Sequence, residues 1–224
     1  MIVAIDGPSG AGKSTVSKLV AKELGFSCLD TGAMYRCVAW RALREGASLE
    51  DAEALGAIAR ACRISFAHDE GAVDARAVLV DGCDVTDAIR TAEIDRAVSK
   101  VSAVPAVRTS LVERQRVIGR AGNYVVEGRD IGTVVFADAE AKVFLTASDE
   151  QRARRRVAQN AARGIGSTDF ETVLADIVAR DERDSARAAS PLAAADDAMI
   201  IDSTGLSQDE VVARICDLVR ERMR

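Results

Sequence analysis

The sequence predicts an α/β fold in which a parallel β-sheet is flanked by helices. Short apolar runs alternate with helical segments along most of the 224-residue chain, as expected when strands and crossover helices follow each other. A glycine-rich segment joins the first apolar run to the first helical segment. Between about residues 62 and 87 the pattern changes to strand-like alternation, which predicts a small antiparallel insert.

The first 45 residues already show the alternation of strands and helices. Residues 2–5 form a continuous apolar run typical of a buried strand, and the apolar residues of 16–24 recur at helical spacing. A short strand is predicted at 27–29 and a second helix at 33–45. Thr31 is predicted to be the N-cap of that second helix because its hydroxyl can accept a backbone N–H.

The insert is predicted from side-chain alternation. Ile64, Phe66 and His68 alternate with more polar neighbours, and the apolar run 77–80 meets a turn at Asp81-Gly82. This pattern predicts two or three antiparallel strands. His68 fits the strand pattern, which we favour over a catalytic role.

The second half returns to strand–helix alternation. Helices are predicted at 91–103 and 105–120, and strands at 124–126, 142–145 and 198–201. In sheets of this class ligands bind beyond the carboxyl ends of the strands. We therefore expect the acidic residues that follow strand-like runs to converge on one edge, namely Asp6, Asp30, Glu127, Asp130 and Asp202.

The glycine-rich segment predicts a nucleotide-phosphate site. It consists of Gly7, Pro8, Ser9, Gly10, Ala11, Gly12, Lys13, Ser14 and Thr15. Glycines at this spacing let backbone N–H groups surround phosphate oxygens, while Lys13 reaches the β and γ oxygens and Ser14 can ligate Mg²⁺. The flanking strand and helix favour this interpretation over a flexible glycine turn. Glu127 is a candidate to hold Mg²⁺ through water, with a buried structural carboxylate as the alternative.

Composition narrows the class of protein. A net charge of −5 and a pI near 5.1 disfavour a nucleic-acid-binding surface, and no apolar run is long enough to cross a membrane. The N-terminal residues lack a signal-like pattern, and the five cysteines lack metal-ligand spacing, so we expect a cytoplasmic protein with reduced thiols. Of the 30 basic residues, 25 are arginine, which fits phosphate recognition or the codon composition of the host equally well.

Five motifs together resemble the bacterial cytidylate kinases. They are the glycine-rich loop, DTGAMYR at 30–36, EGRDIGTVVF at 127–136, RDERD at 180–184 and DST at 202–204. The resemblance covers almost the whole chain and implies transfer of the γ-phosphoryl group of MgATP to CMP or dCMP, in pyrimidine nucleotide metabolism. It further implies a monomeric single P-loop kinase domain over 1–224, with a nucleoside-monophosphate-binding region at about 31–105 and a short lid at about 152–168.

The resemblance also implies residue roles. It puts Thr31, Arg36 and Arg129 at the acceptor phosphate, Ser99, Arg108, Asp130 and Arg187 around the cytosine, and Arg180 and Asp184 toward the sugar or its neighbouring phosphate. The candidate catalytic residues are Lys13, Arg129, Arg155, Arg156 and Arg180. Two alternatives remain open: the charges of 180–184 could form a solvated ion-pair face, and the arginines of 152–156 could form a basic solvated helix or a surface for an acidic partner.

Other nucleotide-dependent functions fit less well. A GTP-dependent switch protein should carry an Asn-Lys-x-Asp motif, which this sequence lacks. A compact kinase for a small metabolite such as shikimate or gluconate would not need the strand-rich insert. A motor or transport ATPase would need a longer chain.

Overall fold

The protein contains a five-stranded and a three-stranded β-sheet. The computed structural model describes residues 1–68, 75–187 and 189–224. The chain divides into two units, Met1–Leu29 with Gly119–Arg224, and Asp30–Ile118. The predicted α/β class with a parallel sheet, flanking helices and a small antiparallel insert is confirmed. The single-domain description with an embedded acceptor region stays a prediction.

The strands and helices follow the predicted alternation. The strands are β1 (Ile2–Asp6), β2 (Ser27–Asp30), β3 (Ile64–His68), β4 (Ala75–Val80), β5 (Cys83–Asp84), β6 (Tyr124–Gly128), β7 (Ala141–Thr146) and β8 (Met199–Asp202). The α-helices are α1 (Lys13–Leu24), α2 (Thr31–Arg44), α3 (Ala52–Ala61), α4 (Ala92–Val101), α5 (Pro105–Gly119), α6 (Asp149–Arg163), α7 (Phe170–Ser185) and α8 (Gln208–Arg222). A 3₁₀ turn spans Ala88–Arg90 and a π-helical turn spans Ile131–Val135.

The larger sheet places β1 at its centre, in the order β2-β6-β1-β7-β8. All five residues of β1 are buried, which explains the continuous apolar character of its first four residues in a strand covered on both faces. β1 pairs in parallel with β6 and β7, so that Asp6 lies opposite Gly128 on one side and Phe144 on the other. The loops that follow these strands therefore emerge at the same edge of the sheet.

The second unit contains the predicted insert. β3, β4 and β5 form an antiparallel sheet, and its apolar residues pack with those of α2 in one cluster that includes Cys37, Cys62 and Val80. Residues 69–74 of the predicted insert, and the side chain of His68, lie outside the described part of the chain. The three strands confirm the change of period seen in the sequence.

The N-cap of α2 corrects one prediction. Asp30 is the N-cap, and its carboxylate accepts the backbone N–H of Ala33 at 3.0 Å. Thr31 is instead the first helical residue and is buried. The prediction of Thr31 as the cap was therefore wrong. β2 extends through Asp30 and the helix begins at Thr31, two residues before the predicted start at 33, so the Asp30 carboxylate reaches the third helical N–H.

Two further observations bear on the class of protein. Among the helices in the described ranges, none combines the length and the apolar character that crossing a membrane requires. All five cysteines are free thiols, and three of them are buried. Burial raises the pKa of the Cys62 thiol to about 11, which keeps it protonated and unreactive at neutral pH.

Candidate active site

The glycine-rich loop has a backbone conformation that glycine adopts more readily than other residues. Gly7, Gly10 and Gly12 all have positive φ angles, of 147°, 79° and 97°. At Gly7 a Cβ atom would lie 2.0 Å from the carbonyl oxygen of Leu145, so only glycine allows this approach to β7. Gly12 directly precedes α1, whose first N–H groups have no partners within the helix and favour an anion.

Lys13 lies buried at the start of α1, where positive charge is concentrated. Its Nζ donates to the carbonyl oxygen of Pro8 at 2.7 Å. Burial and the nearby guanidinium groups of Arg129 and Arg180 hold the pKa of Lys13 well below its usual range, and the Glu127 carboxylate acts in the opposite direction. Three predicted catalytic cations therefore lie close together beside the loop.

Ser14 and Glu127 supply oxygen atoms at the same position. The Ser14 hydroxyl donates to Oε2 of Glu127 at 2.9 Å, and Glu127 is buried near the end of β6. A hydroxyl and a carboxylate are hard oxygen donors of the kind that Mg²⁺ takes alongside substrate phosphates and water. Within the described ranges, no cluster of three or more His, Cys, Asp or Glu side chains could hold a metal ion. The residues present fit a magnesium ion carried largely by a nucleotide.

Asp6 fixes the backbone that follows Arg129 and Asp130. Its two carboxylate oxygens accept the N–H groups of Ile131 and Gly132, each at 2.7 Å. Burial raises the pKa of Asp6 to about 6, although these two hydrogen bonds lower it. The sequence marked Asp6 only as a carboxylate after a strand, and its position directly before the loop was the one signal for this role.

Asp184 connects two predicted acceptor-binding arginines. It is 1% exposed, and its oxygens accept from Nε of Arg129 at 3.2 Å and from a terminal nitrogen of Arg187. The interpretation of 180–184 as a solvated ion-pair face is therefore wrong for Asp184. The solvated part of that interpretation fits Arg183, which is exposed and donates to the carbonyl oxygen of Ala179 in its own helix.

Arg155 and Arg156 reach the glycine-rich loop from α6. Arg155 donates to the carbonyl oxygen of Ala11 at 3.2 Å and to the carbonyl oxygen of Ser203 at 2.7 Å. Arg156 donates to the hydroxyl of Ser9 at 3.2 Å. Both guanidinium groups therefore lie beside the loop predicted to hold phosphates. Ser203 also contacts Arg155, and its only signal in the sequence was its place in the motif at 202–204.

Two further arginines of α6, Arg152 and Arg154, differ in their exposure to solvent. Arg154 is exposed, as a solvated helix face requires. Arg152 is 4% exposed and forms an ion pair with Asp181, so a uniformly solvated basic helix is wrong for this residue. Sequence reasoning assigned no role to the pair.

In the second unit, Arg36 is held by two acceptors. Its guanidinium donates to the carbonyl oxygen of Ile89 at 3.1 Å and forms an ion pair with Asp95. The Arg36 side chain is 19% exposed, so it is oriented by protein contacts while part of its surface still meets solvent. A phosphate could replace a carboxylate in this setting because both are oxyanions that a guanidinium binds well.

The other predicted acceptor residues of this unit are buried polar groups. Thr31, Ser99 and Arg108 are 3%, 7% and 6% exposed. The Arg108 guanidinium lies 5.7 Å from the ring centroid of Tyr35, within cation–π range. Hydroxyl and guanidinium groups buried in this way can donate hydrogen bonds to a polar ligand.

Comparisons with known proteins find relatives that share the description cytidylate kinase. The family model described as cytidylate kinase matches residues 3–221. A cytidylate kinase from Mycobacterium leprae is 49% identical, with 99% of this chain and 96% of the relative covered. A cytidylate kinase from Rhodococcus opacus is 50% identical, with the same coverage.

Some relatives are longer. A bifunctional pantoate ligase/cytidylate kinase from Synechococcus sp. is 50% identical over 98% of this chain, but the chain spans only 41% of that protein. The fold extends to distant proteins: the crystal structure of an uncharacterized protein from Eubacterium ventriosum aligns with a TM-score of 0.52 at 13% identity, covering 99% of this chain and 98% of the other. The family match over nearly all residues, with about half of them identical in named relatives, shows that this chain belongs to the cytidylate kinase family.

Proposed function

We propose that this chain transfers the γ-phosphoryl group of MgATP to CMP or dCMP, giving ADP and CDP or dCDP. The observation that carries the proposal is the buried Lys13 beside Arg129 and Arg180, next to a glycine loop of matching conformation, in a member of the cytidylate kinase family. The reaction would belong to pyrimidine nucleotide metabolism.

ATP would be held mainly by backbone groups. The N–H groups of residues 7–15 would donate to the β- and γ-phosphates, and Lys13 would contact the oxygens between them. Arg155 and Arg156, which already lie against Ala11 and Ser9, would add charge from the side of α6. Closure of a lid at about 152–168 would exclude water from the phosphates and suppress hydrolysis.

Ser14 and Glu127 are the residues that would hold Mg²⁺, Ser14 through its hydroxyl and Glu127 through water. When bound with ATP, the ion supplies neutralisation of the phosphate oxygens. The hydrogen bond between Ser14 and Glu127 supports this assignment because it already aims the two side chains at each other.

In the transfer itself, an oxygen of the acceptor phosphate would form a bond to the γ-phosphorus. The bond from that phosphorus to the β–γ bridging oxygen would break, and ADP would leave with its electron pair. Charge spread over the equatorial oxygens must be neutralised, which arginines near a transferring phosphoryl group do with rate effects on the order of 10³ to 10⁵. We assign this role to Lys13, Arg129 and Arg180.

We propose the acceptor contacts residue by residue. The acceptor phosphate would bind Thr31, Arg36 and Arg129, the cytosine would bind Ser99, Arg108, Asp130 and Arg187, and the sugar or its neighbouring phosphate would bind Arg180 and Asp184. The ion pair between Arg36 and Asp95 supports the first group, because the incoming phosphate can take the place of that carboxylate. The buried Asp130 supports the second, because a carboxylate can accept from an exocyclic amino group.

A coupled assay of ADP release tests this function. We expect CMP and dCMP to react much faster than AMP, GMP or UMP, and no product with shikimate or gluconate as acceptor. Lys13→Met should abolish turnover, and chelation of Mg²⁺ should do the same in the parent protein. Equal rates with all five nucleotides would contradict recognition of cytosine, and phosphorylation of shikimate or gluconate alone would favour a small-metabolite kinase.

We also propose a monomer that acts in the cytoplasm on free nucleotides and not on nucleic acid. The acidic net charge supports the last point. Sedimentation at micromolar concentration, with and without ATP, tests the oligomeric state, and a dimer would contradict the proposal.

A further inference from the structure

We propose that Arg152 and Asp181 are a pair of positioning residues that hold the glycine-rich loop at Ser9 in its ATP-binding conformation. The inference rests on the proposed function, because it concerns the same ATP site. Neither side chain is assigned a contact with ATP or with the acceptor above, although Arg152 is the first residue of the proposed lid.

Arg152 and Asp181 each form a hydrogen bond with the backbone of Ser9. The Ser9 N–H donates to Oδ1 of Asp181 at 3.2 Å, and the Ser9 carbonyl oxygen accepts from Nη1 of Arg152 at 2.7 Å. The same guanidinium nitrogen of Arg152 also donates to Oδ2 of Asp181. Both polar backbone groups of one buried loop residue are therefore satisfied by two opposite charges that also bind each other.

Arg152 is itself anchored at the start of α6. Its Nε donates to the carbonyl oxygen of Ala147 at 3.1 Å, and Nη2 donates to Oδ1 of Asp149 at 2.6 Å. The approach of the loop to this residue is close, since a Cβ at Gly10 would lie 3.1 Å from Cβ of Arg152. A planar guanidinium with five N–H donors can form all of these hydrogen bonds at once, whereas the ammonium group of a lysine cannot, so lysine is not an equivalent replacement.

Asp181 extends the effect to α7. Arg180, its neighbour on this helix, lies near enough to Lys13 to lower its pKa, and Asp184 one turn later holds Arg129. The bond from Ser9 to Asp181 therefore connects the loop to α7. Asp184 keeps its own bonds to Arg129 and Arg187 when that connection is lost, so we expect the acceptor residues of α7 to stay in place.

The expected effect falls mainly on ATP binding. Hydrogen bonds to charged groups contribute about 1.5–3 kcal/mol each, which corresponds to roughly a 10- to 150-fold change in an equilibrium constant. A loop released at Ser9 must be reordered when ATP binds, so that the dissociation constant and the KM for ATP should rise. The KM for CMP should stay within about twofold, because neither residue is assigned to the acceptor.

The test uses Arg152→Met, Arg152→Lys and Asp181→Asn in the full chain. Calorimetry measures ATP binding without acceptor, steady-state kinetics measures both KM values, and circular dichroism measures thermal unfolding. The controls are Arg214→Met, an exposed arginine of α8, and Asp176→Asn, an exposed aspartate of α7. We expect all three variants to bind ATP at least about tenfold more weakly, the lysine variant to recover little, and the controls to match the parent protein.

Three results would overturn the proposal. They are unchanged ATP affinity in folded variants, a lowered unfolding temperature with both KM values unchanged, and an equal rise of both KM values. The double variant should lose less ATP affinity than the sum of the single losses, because Arg152 and Asp181 bond to each other and to the same residue, Ser9. If Arg152→Met does not fold, the isosteric Asp181→Asn decides the question.

The calorimetric readout separates this inference from the proposed function. A parent protein that binds ATP but makes no CDP would refute the cytidylate kinase reaction in this chain. Weaker ATP binding by the variants would still support the pair in that case.

Discussion

Asp6→Asn tests the account of the carboxylate that joins β1 to the turn at Ile131–Val135. The substitution keeps the shape of the side chain and removes its charge. In the parent protein, the pKa of Asp6 is about 6 in the folded state against an ordinary value of 3.8. The folded protein therefore holds its proton to higher pH than the unfolded chain, and ionisation of Asp6 opposes folding.

The sign and the size of the effect follow from proton linkage. The favourable contribution of protonated Asp6 is fully present below pH 3.8 and is lost as the pH rises through 6. Between about pH 4.5 and pH 6.5 the loss amounts to about 2 kcal/mol, out of roughly 3 kcal/mol in total. The amide of the variant does not titrate in this range, so the stability of Asp6→Asn relative to the parent protein should rise by about 2 kcal/mol over it.

Urea unfolding followed by circular dichroism at several pH values measures this difference. Asp176→Asn, at an exposed position, serves as the matched control. The absolute stability at one pH is less informative, because an amide can accept only one of the two N–H groups and leaves the other unsatisfied at a cost of about 1–3 kcal/mol. A difference that is constant with pH, or that falls as the pH rises, would refute the reasoning. Turnover should also decrease, since the backbone after Arg129 loses one of its two anchors.

The remaining predictions concern the loop and its charged neighbours. Gly7→Ala should lower the free energy of unfolding by at least about 2 kcal/mol and raise the KM for ATP, because its Cβ would collide with Leu145; urea unfolding and kinetics check this. Asp184→Asn should lower the free energy of unfolding by about 2 kcal/mol, since two arginines lose their buried counter-ion, and an unchanged urea midpoint would contradict that role. Arg155→Met should raise the KM for ATP about tenfold relative to the exposed control Arg214→Met, and equal kinetics for the two would remove Arg155 from the ATP site.

Much of the fold could be predicted because its signals are local. A buried parallel strand is apolar throughout, and β1 shows this in its first four residues, all of them buried. A loop of this kind has glycines at fixed offsets, and three of these glycines have positive φ angles in the structure. The cap of α2 was mispredicted because Asp30 and Thr31 are both good capping residues, and the choice between them depended on where β2 ends.

The parts of the site that sequence reasoning missed depend on contacts between distant residues. The bonds from Asp6 to the turn at Ile131–Val135 join residues 125 and 126 positions apart, and the bond from Ser9 to Asp181 joins residues 172 positions apart. No local pattern distinguishes a buried arginine such as Arg152 from its exposed neighbour Arg154. Helical spacing places both on α6, and only the packing of α6 and α7 against the loop decides which one is buried.

The amino-acid sequence by itself determined the α/β class, the glycine-rich loop and the family of this protein, because these depend on short motifs and on hydrophobic periodicity. Tertiary structure alone decided which charged side chains are buried and which residues they pair with. It made Asp184 a buried counter-ion and Arg183 a solvated side chain, although both belong to one motif. The physical reason is that the cost of burying a charge, and the partner that offsets it, are set by neighbours that folding brings from elsewhere in the chain.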